Sequence, residues 1–166
     1  MKTILNIPVK LVVAIFSLLV AAAFSIQADA QKLPPDAANA LHAPDNIVLY
    51  SLEPWEHPTA KDKTLHGVKI LGETKLDAKQ SKTAISAFET AIAQGAGSGG
   101  ARCFDPRHAL RVTANGQTYD FMLCYECAWL SVISDGKEMA RLCAVGTPHQ
   151  LNKLLVAAKI PLAKSK

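Results

Sequence analysis

The chain has 166 residues, and its 18 basic side chains outnumber its 14 acidic ones only slightly. The lysines are scattered through polar segments without interleaved aromatics, which argues against nucleic acid as a partner. The length past residue 30 suits one domain, and a chain of that size buries roughly two thirds of its unfolded surface, enough for an ordinary core.

Residues 1–30 read as a secretory signal peptide. Lys2 and Lys10 supply the positive start, residues 11–24 the apolar stretch, and Ala28-Asp29-Ala30 an A-x-A site with cleavage after Ala30. The apolar run falls short of the roughly 20 residues that span a bilayer, so no stable membrane span is expected after cleavage. No cysteine follows it to carry a lipid. A periplasmic or secreted location follows. All four cysteines lie beyond the leader, where an oxidising compartment favours disulfides.

Residues 31–46 read as a loose, PPII-like lead-in, because Pro34-Pro35 disfavours a helix or central strand. Residues 47–166 form the expected domain. Residues 47–52 form a short β-rich run stopped by Pro54 and Pro58, and residues 65–76 are a second strand candidate with partial alternation. Asp77 is a helix N-cap with Gln80 three positions on, and Ile85, Phe88 and Ile92 share one face. A helix over 78–94, ended by Gly95, is therefore expected. The glycine-rich residues 96–101 read as a flexible linker, since they lack the Gly-Lys-Ser/Thr ending of a phosphate cradle.

Two β-rich runs, 108–114 and 118–125, flank Asn115-Gly116, whose residues accept the positive φ of a tight turn. Residues 129–134 and 137–145 follow, joined by Asp135-Gly136. Two such turns in succession imply an antiparallel meander. Thr147-Pro148-His149-Gln150 resembles a cap, a first-turn proline and a returning Gln, before Leu151, Leu154, Leu155 and Ala158. The expected fold is α+β, an antiparallel sheet of about five strands with two helices packed on one face and the other face partly wet.

The segment 103–127 concentrates the chemistry. If the Asn115-Gly116 turn closes a hairpin, its open end brings Cys103 towards Cys124 and Cys127, while connectivity stays open. One expectation is structural: Cys103 paired with Cys124 or Cys127, and Cys143 taking the remaining thiol, at about 2–4 kcal/mol per bridge. A single bridge with two free thiols is the variant.

The C-x-x-C of Cys124 and Cys127 also permits thiol exchange. However, a strand rather than a helix follows it, and Glu126 opposes a thiolate. A third reading is a zinc or copper site built from Cys103, Cys124 and Cys127 with His108 or Cys143. Asp105, Arg107, His108 and Glu126 are the binding-surface candidates, because Pro106 fixes the direction in which Arg107 and His108 leave the turn. Arg107 could hold an anion or pair with Asp105 or Glu126. His108 could be a base or satisfy buried backbone groups. A Cys103–His108 nucleophile pair lacks a third orienting residue, so no catalytic set is assigned.

The segment Cys103-Phe104-Asp105-Pro106-Arg107-His108-Ala109-Leu110, followed by Leu123-Cys124-Tyr125-Glu126-Cys127, resembles a group of small exported bacterial proteins of uncharacterised function. They share a C-F-x-P-R-H string and a later C-x-x-C. The likeness spans residues 65–155, carries no activity to transfer, and does not include Cys143.

The expected function is that of an exported protein acting by binding rather than turnover. An inhibitor or immunity-type module on an envelope enzyme would fit, with an envelope protein as partner and no cofactor. The alternative is a zinc- or copper-binding or thiol-active protein using the Cys103/His108/Cys124/Cys127 cluster.

Overall fold

The structure, a computed structural model, describes residues 31–164. The expected leader, 1–30, lies outside the described residues. Among the described residues three helices, α1 (Pro35–His42), α2 (Ala78–Gly95) and α3 (His149–Ala157), accompany seven strands: β1 (Asn46–Glu53), β2 (Thr64–Leu65), β3 (Val68–Lys75), β4 (His108–Ala114), β5 (Gln117–Cys124), β6 (Trp129–Ser134) and β7 (Lys137–Cys143). All neighbours pair antiparallel in one sheet of order β2-β3-β1-β4-β5-β6-β7. Among the described residues no helix is long and apolar enough to cross a membrane.

The expectation of about five strands and two helices is thus corrected to seven and three, and two local causes account for most of the difference. The first is at Pro35, which stands in the first turn of α1. There a missing N–H has no intrahelical partner to lose. The spacing of Ala37, Ala40 and Leu41 then gives the short helix a buried face, so 31–46 is not a loose lead-in. The second is at His66 and Gly67, which both take positive φ, 48° and 83°. This two-residue turn folds the expected strand 65–76 into β2 and β3. The turns at Asn115-Gly116 and Asp135-Gly136 have the anticipated positive φ at both residues.

One face of the sheet carries the main core. Ile47, Leu49, Leu110, Val112, Phe121, Leu123, Leu130 and Val132 pack there against Leu41, Phe88, Leu151 and Leu155 of the three helices. Phe88 meets Phe121 edge to face at 6.5 Å, a geometry favoured by the ring quadrupoles.

The opposite face is not wet in the way expected. Tyr50, Leu52, Leu65, Ala109 and Met122 form a second buried cluster, because the sheet curls into a half-barrel over that face. The curl brings His66, on the β2–β3 turn, across to β5, where its Nε2 lies 2.7 Å from Asp120 Oδ2. Asp120 also accepts two hydrogen bonds of 2.7 Å from Arg111. Its buried carboxylate is therefore paired rather than stranded.

Helix α2 begins with a complete capping box. Asp77 Oδ1 accepts from Gln80 N–H at 2.8 Å, and Gln80 Oε1 accepts from Asp77 N–H at 2.9 Å. Asp77→Ala removes one side of it and is expected to cost about 1 kcal/mol, read from the midpoint of urea unfolding. Helix α3 starts one residue later than its sequence suggests: Pro148 is its N-cap, and no side chain caps it.

Candidate functional site

The β4–β5 pairing sets His108 opposite Leu123, so the C-F-x-P-R-H string and the C-x-x-C pair meet at the open end of the hairpin. Between β5 and β6 the chain turns through residues 125–128 with Ala128 at φ 56°. That turn brings Cys124 and Cys127 to a Cα separation of 5.3 Å, and the two are disulfide-bonded.

Cys103 and Cys143 are free. The expected long-range staples are therefore absent among the described cysteines. The bridge closes a loop only three residues apart in sequence, which in the chain-entropy picture restricts the unfolded state least, to roughly 2 kcal/mol. It shapes a turn and does not clasp the hairpin to β7.

Cys103 is placed against this bridge. Its thiol is on an exposed residue, with Sγ 3.3 Å from Cys127 Sγ. Cys124 and Cys127 are 2% and 1% exposed, so of these three cysteines only Cys103 is an exposed residue.

Two backbone donors hold the bridge: Asp105 N–H to Cys127 Sγ at 3.2 Å, and Cys127 N–H to Cys124 Sγ at 3.1 Å. The loop carrying Cys103 is less free than its glycines suggest. Ala101 N–H donates to Cys127 O at 2.8 Å, Trp129 Nε1–H donates to Ala101 O at 2.7 Å, and Ser98 N–H donates to Gly95 O at 3.0 Å. A methyl group at Gly100 would stand 2.1 Å from the Trp129 ring, so the backbone must pass flat against the indole there.

The polar candidates gather around the same end. Asp105, Arg107, His108, Cys124, Tyr125 and Glu126 line a recess of about 70 Å³. Arg107 forms an ion pair with Glu126. That pairing partly offsets the carboxylate whose charge, read from sequence, opposes a thiolate in this motif. An exposed pair of this kind contributes about 1 kcal/mol or less, so its importance here is its location.

His108 is not positioned as a base for Cys103. Its Nε2–H donates to Asn152 Oδ1 on α3 at 2.7 Å, and its ring stands edge-on to Tyr125 at 6.3 Å. Burial pushes its pKa down to about 4; the Asn152 hydrogen bond opposes this and the nearby Arg107 charge adds to it. Burial likewise raises the Tyr125 phenol to about 12, keeping it a neutral donor at neutral pH. Asn152 was missed in the sequence. The available signal was a polar residue beside Leu151, on the buried side of an amphipathic helix.

The depressed His108 pKa sets a pH dependence. The unfolded imidazole takes its proton near its ordinary 6.5 and the folded one only near 4. Between those values the unfolded chain binds more protons, and stability falls as pH drops. The contribution is fully present above about 6.5 and is reduced by roughly 3 kcal/mol by about pH 4. Urea midpoints of the protein and of His108→Gln at pH 7 and 4.5 measure it, and the variant is expected to show a shallower loss.

Cys143 stands apart, its thiol donating to Ser98 O at 2.9 Å. A metal site using His108 or Cys143 as fourth ligand is thus not what the fold assembles. The metal-ligating group present among the described residues is Cys103, Asp105 and Cys127, whose ligand atoms lie within 4.8 Å of one another.

No family model, curated protein or solved structure matches the chain.

Proposed function

We propose that this chain is an exported thiol-active protein that exchanges disulfides with a partner, with Cys103 as the sulfur that passes between the partner and a buried bridge. The observation that carries this reading is the 3.3 Å approach of Sγ of the exposed residue Cys103 to Cys127 Sγ of the Cys124–Cys127 bridge. Reacting atoms already about 3–3.5 Å apart are at near-attack distance. A structural bridge has no need of a third sulfur in contact with it.

The Cys103 thiolate attacks Cys127 Sγ, the Cys127–Cys124 bond breaks, and Cys124 leaves as a thiolate that takes a proton. The Cys127 N–H already directed at Cys124 Sγ stabilises that leaving sulfur, as donors to an anion do. The new bridge joins Cys103 to Cys127. A partner thiolate then attacks the exposed Cys103, forming a mixed disulfide and releasing Cys127. The partner's second thiol closes its own disulfide and frees Cys103. The partner dithiol is oxidised and the protein disulfide reduced; the reverse sequence reduces a partner disulfide.

The three sulfurs in this cluster are those of the C-F-x-P-R-H and C-x-x-C strings, and Cys143 is outside the cluster. The recess beside Cys124 is small and mostly apolar, and the Arg107–Glu126 pair that borders it offers a polar contact to the partner. An inhibitor or immunity-type role draws on no comparable geometry.

The test is to trap the mixed disulfide. With Cys124→Ser and Cys127→Ser together, Cys103 attacks a partner disulfide and neither bridge sulfur remains to resolve the product. Adducts through Cys103 should therefore accumulate in envelope extracts and with a model disulfide peptide. No adducts at Cys103, with the bridge intact and untouched by dithiols, would leave the cysteines with a purely structural role.

A further inference from the structure

We propose that, once the Cys124–Cys127 bridge is reduced, the thiolates of Cys103, Cys124 and Cys127 and the carboxylate of Asp105 form a tetrahedral Zn²⁺ site, so that metal binding and disulfide formation exclude one another. This goes beyond disulfide exchange and rests on that reading only in requiring a bridge that a dithiol can open.

The geometry of three of the four ligands, Cys103, Asp105 and Cys127, is near what zinc needs. At Zn–S distances of about 2.3 Å, the sulfurs of a tetrahedral site lie about 3.8 Å apart. Cys103 and Cys127 stand 3.3 Å apart, so they must separate by only about half an ångström. Asp105 brings a carboxylate oxygen into the same group, within 4.8 Å of both sulfurs. Cys124 is outside that group of ligand atoms; the bridge holds its sulfur on Cys127, and once that bond is broken the side chain must rotate to bring the sulfur in as the fourth ligand.

The outer hydrogen bonds are already in place. Asp105 N–H on Cys127 Sγ and Cys127 N–H on Cys124 Sγ are donors of the kind that orient thiolate ligands and temper their charge. Three thiolates and a carboxylate around Zn²⁺ leave an excess of negative charge, which the two N–H donors on the bridge sulfurs temper. The donor set is chemically apt, because thiolates with one hard oxygen in a tetrahedral arrangement suit zinc.

The two chemistries compete for the same electrons. Reduction by a dithiol adds two electrons and two protons to the bridge and oxidises the dithiol to its disulfide. Zinc then displaces the thiol protons to solvent. Because zinc binds the reduced form alone, free zinc at one hundred times its Kd should favour reduction by roughly a hundredfold.

The experiment titrates the purified full-length protein, reduced and metal-free or oxidised, with Zn²⁺ against a chromogenic chelator. Disulfide exchange is assayed separately on the same preparation in excess chelator. One zinc per reduced chain is expected, with none retained after oxidation. Affinity should fall roughly tenfold or more in Asp105→Asn and further in Cys124→Ser. Co²⁺ in place of Zn²⁺ should show thiolate charge-transfer absorption, weakened when Cys103 is serine.

Equal zinc uptake by the oxidised and reduced chains overturns the proposal, as does retention of Cu⁺ without Zn²⁺. No uptake by the reduced chain while exchange proceeds in chelator overturns the zinc site and leaves the exchange reading standing. Stoichiometric uptake without any exchange does the reverse.

Discussion

Cys103→Ser should slow the reduction of the Cys124–Cys127 bridge by a small dithiol by roughly a hundredfold or more. The buried sulfurs, 2% and 1% exposed, give an outside thiolate almost nothing to attack. Cys103 solves that problem by being exposed and already 3.3 Å from Cys127 Sγ, so an intermolecular attack on a buried atom becomes an intramolecular one. The serine side chain keeps the shape and loses the nucleophile.

Cys143→Ser is the control, because that thiol is bonded to Ser98 O, away from the cluster. It should leave the rate within about twofold, an effect expected of a substitution that does not touch the reacting atoms. Alkylation of quenched samples followed by mass mapping reads both the rate and the pairing. A Cys103–Cys127 species should appear transiently in the wild-type protein. Equal rates for wild type and Cys103→Ser would end the shuttle mechanism. Thermal stability of Cys103→Ser should change by no more than about 0.5 kcal/mol, since the residue is exposed.

Gly95→Ala is expected to destabilise the protein by roughly 3 kcal/mol, at the top of the usual range for overpacking. A Cβ at Gly95 would stand 2.3 Å from the carbonyl oxygen of Cys143, 2.4 Å from its carbonyl carbon and 2.7 Å from Ala144 N. All three are backbone atoms at the end of β7 and cannot swing aside as a side chain could. Val145 N–H donates to Ala91 O at 2.9 Å, which holds that segment against α2. The helix must therefore shift, carrying with it the loop that presents Cys103.

Gly99→Ala, where an added Cβ meets nothing within 4 Å, should change stability by no more than about 0.5 kcal/mol. Urea midpoints of the two variants decide it. If they match, the close approach of α2 to β7 is not a constraint on the fold.

The same glycine illustrates how local and long-range information divide. Read along the chain, Gly95 is a helix terminator after residue 94. In the fold it belongs to the last turn of α2, and its lack of a side chain serves contact with a strand almost fifty positions later. The right residue was singled out for a different reason. At Pro35 the local rule was correct but applied to the wrong position, because a proline that breaks a helix interior is well suited to a first turn. Residues 65–76 read along the chain as one strand with partial alternation, whereas in the fold His66 and Gly67 both take positive φ and break it into two.

From the sequence by itself came the features that depend on neighbours a few residues apart. These are the capped helix α2, the two tight turns and their antiparallel meander, and the gathering of Cys103, Asp105, Arg107, Cys124, Glu126 and Cys127 at one end of a hairpin. Backbone preference and alternation act over that range, so the chain states them directly. Only the tertiary structure decided which sulfurs are bonded, which cysteine is exposed, that His108 is buried against Asn152, and that the sheet curls over part of the face its helices leave uncovered. Those outcomes turn on differences of an ångström or two between alternative partners. Such differences are set by how α2, α3 and the loop before β4 pack on the sheet, and residues far apart in sequence meet there.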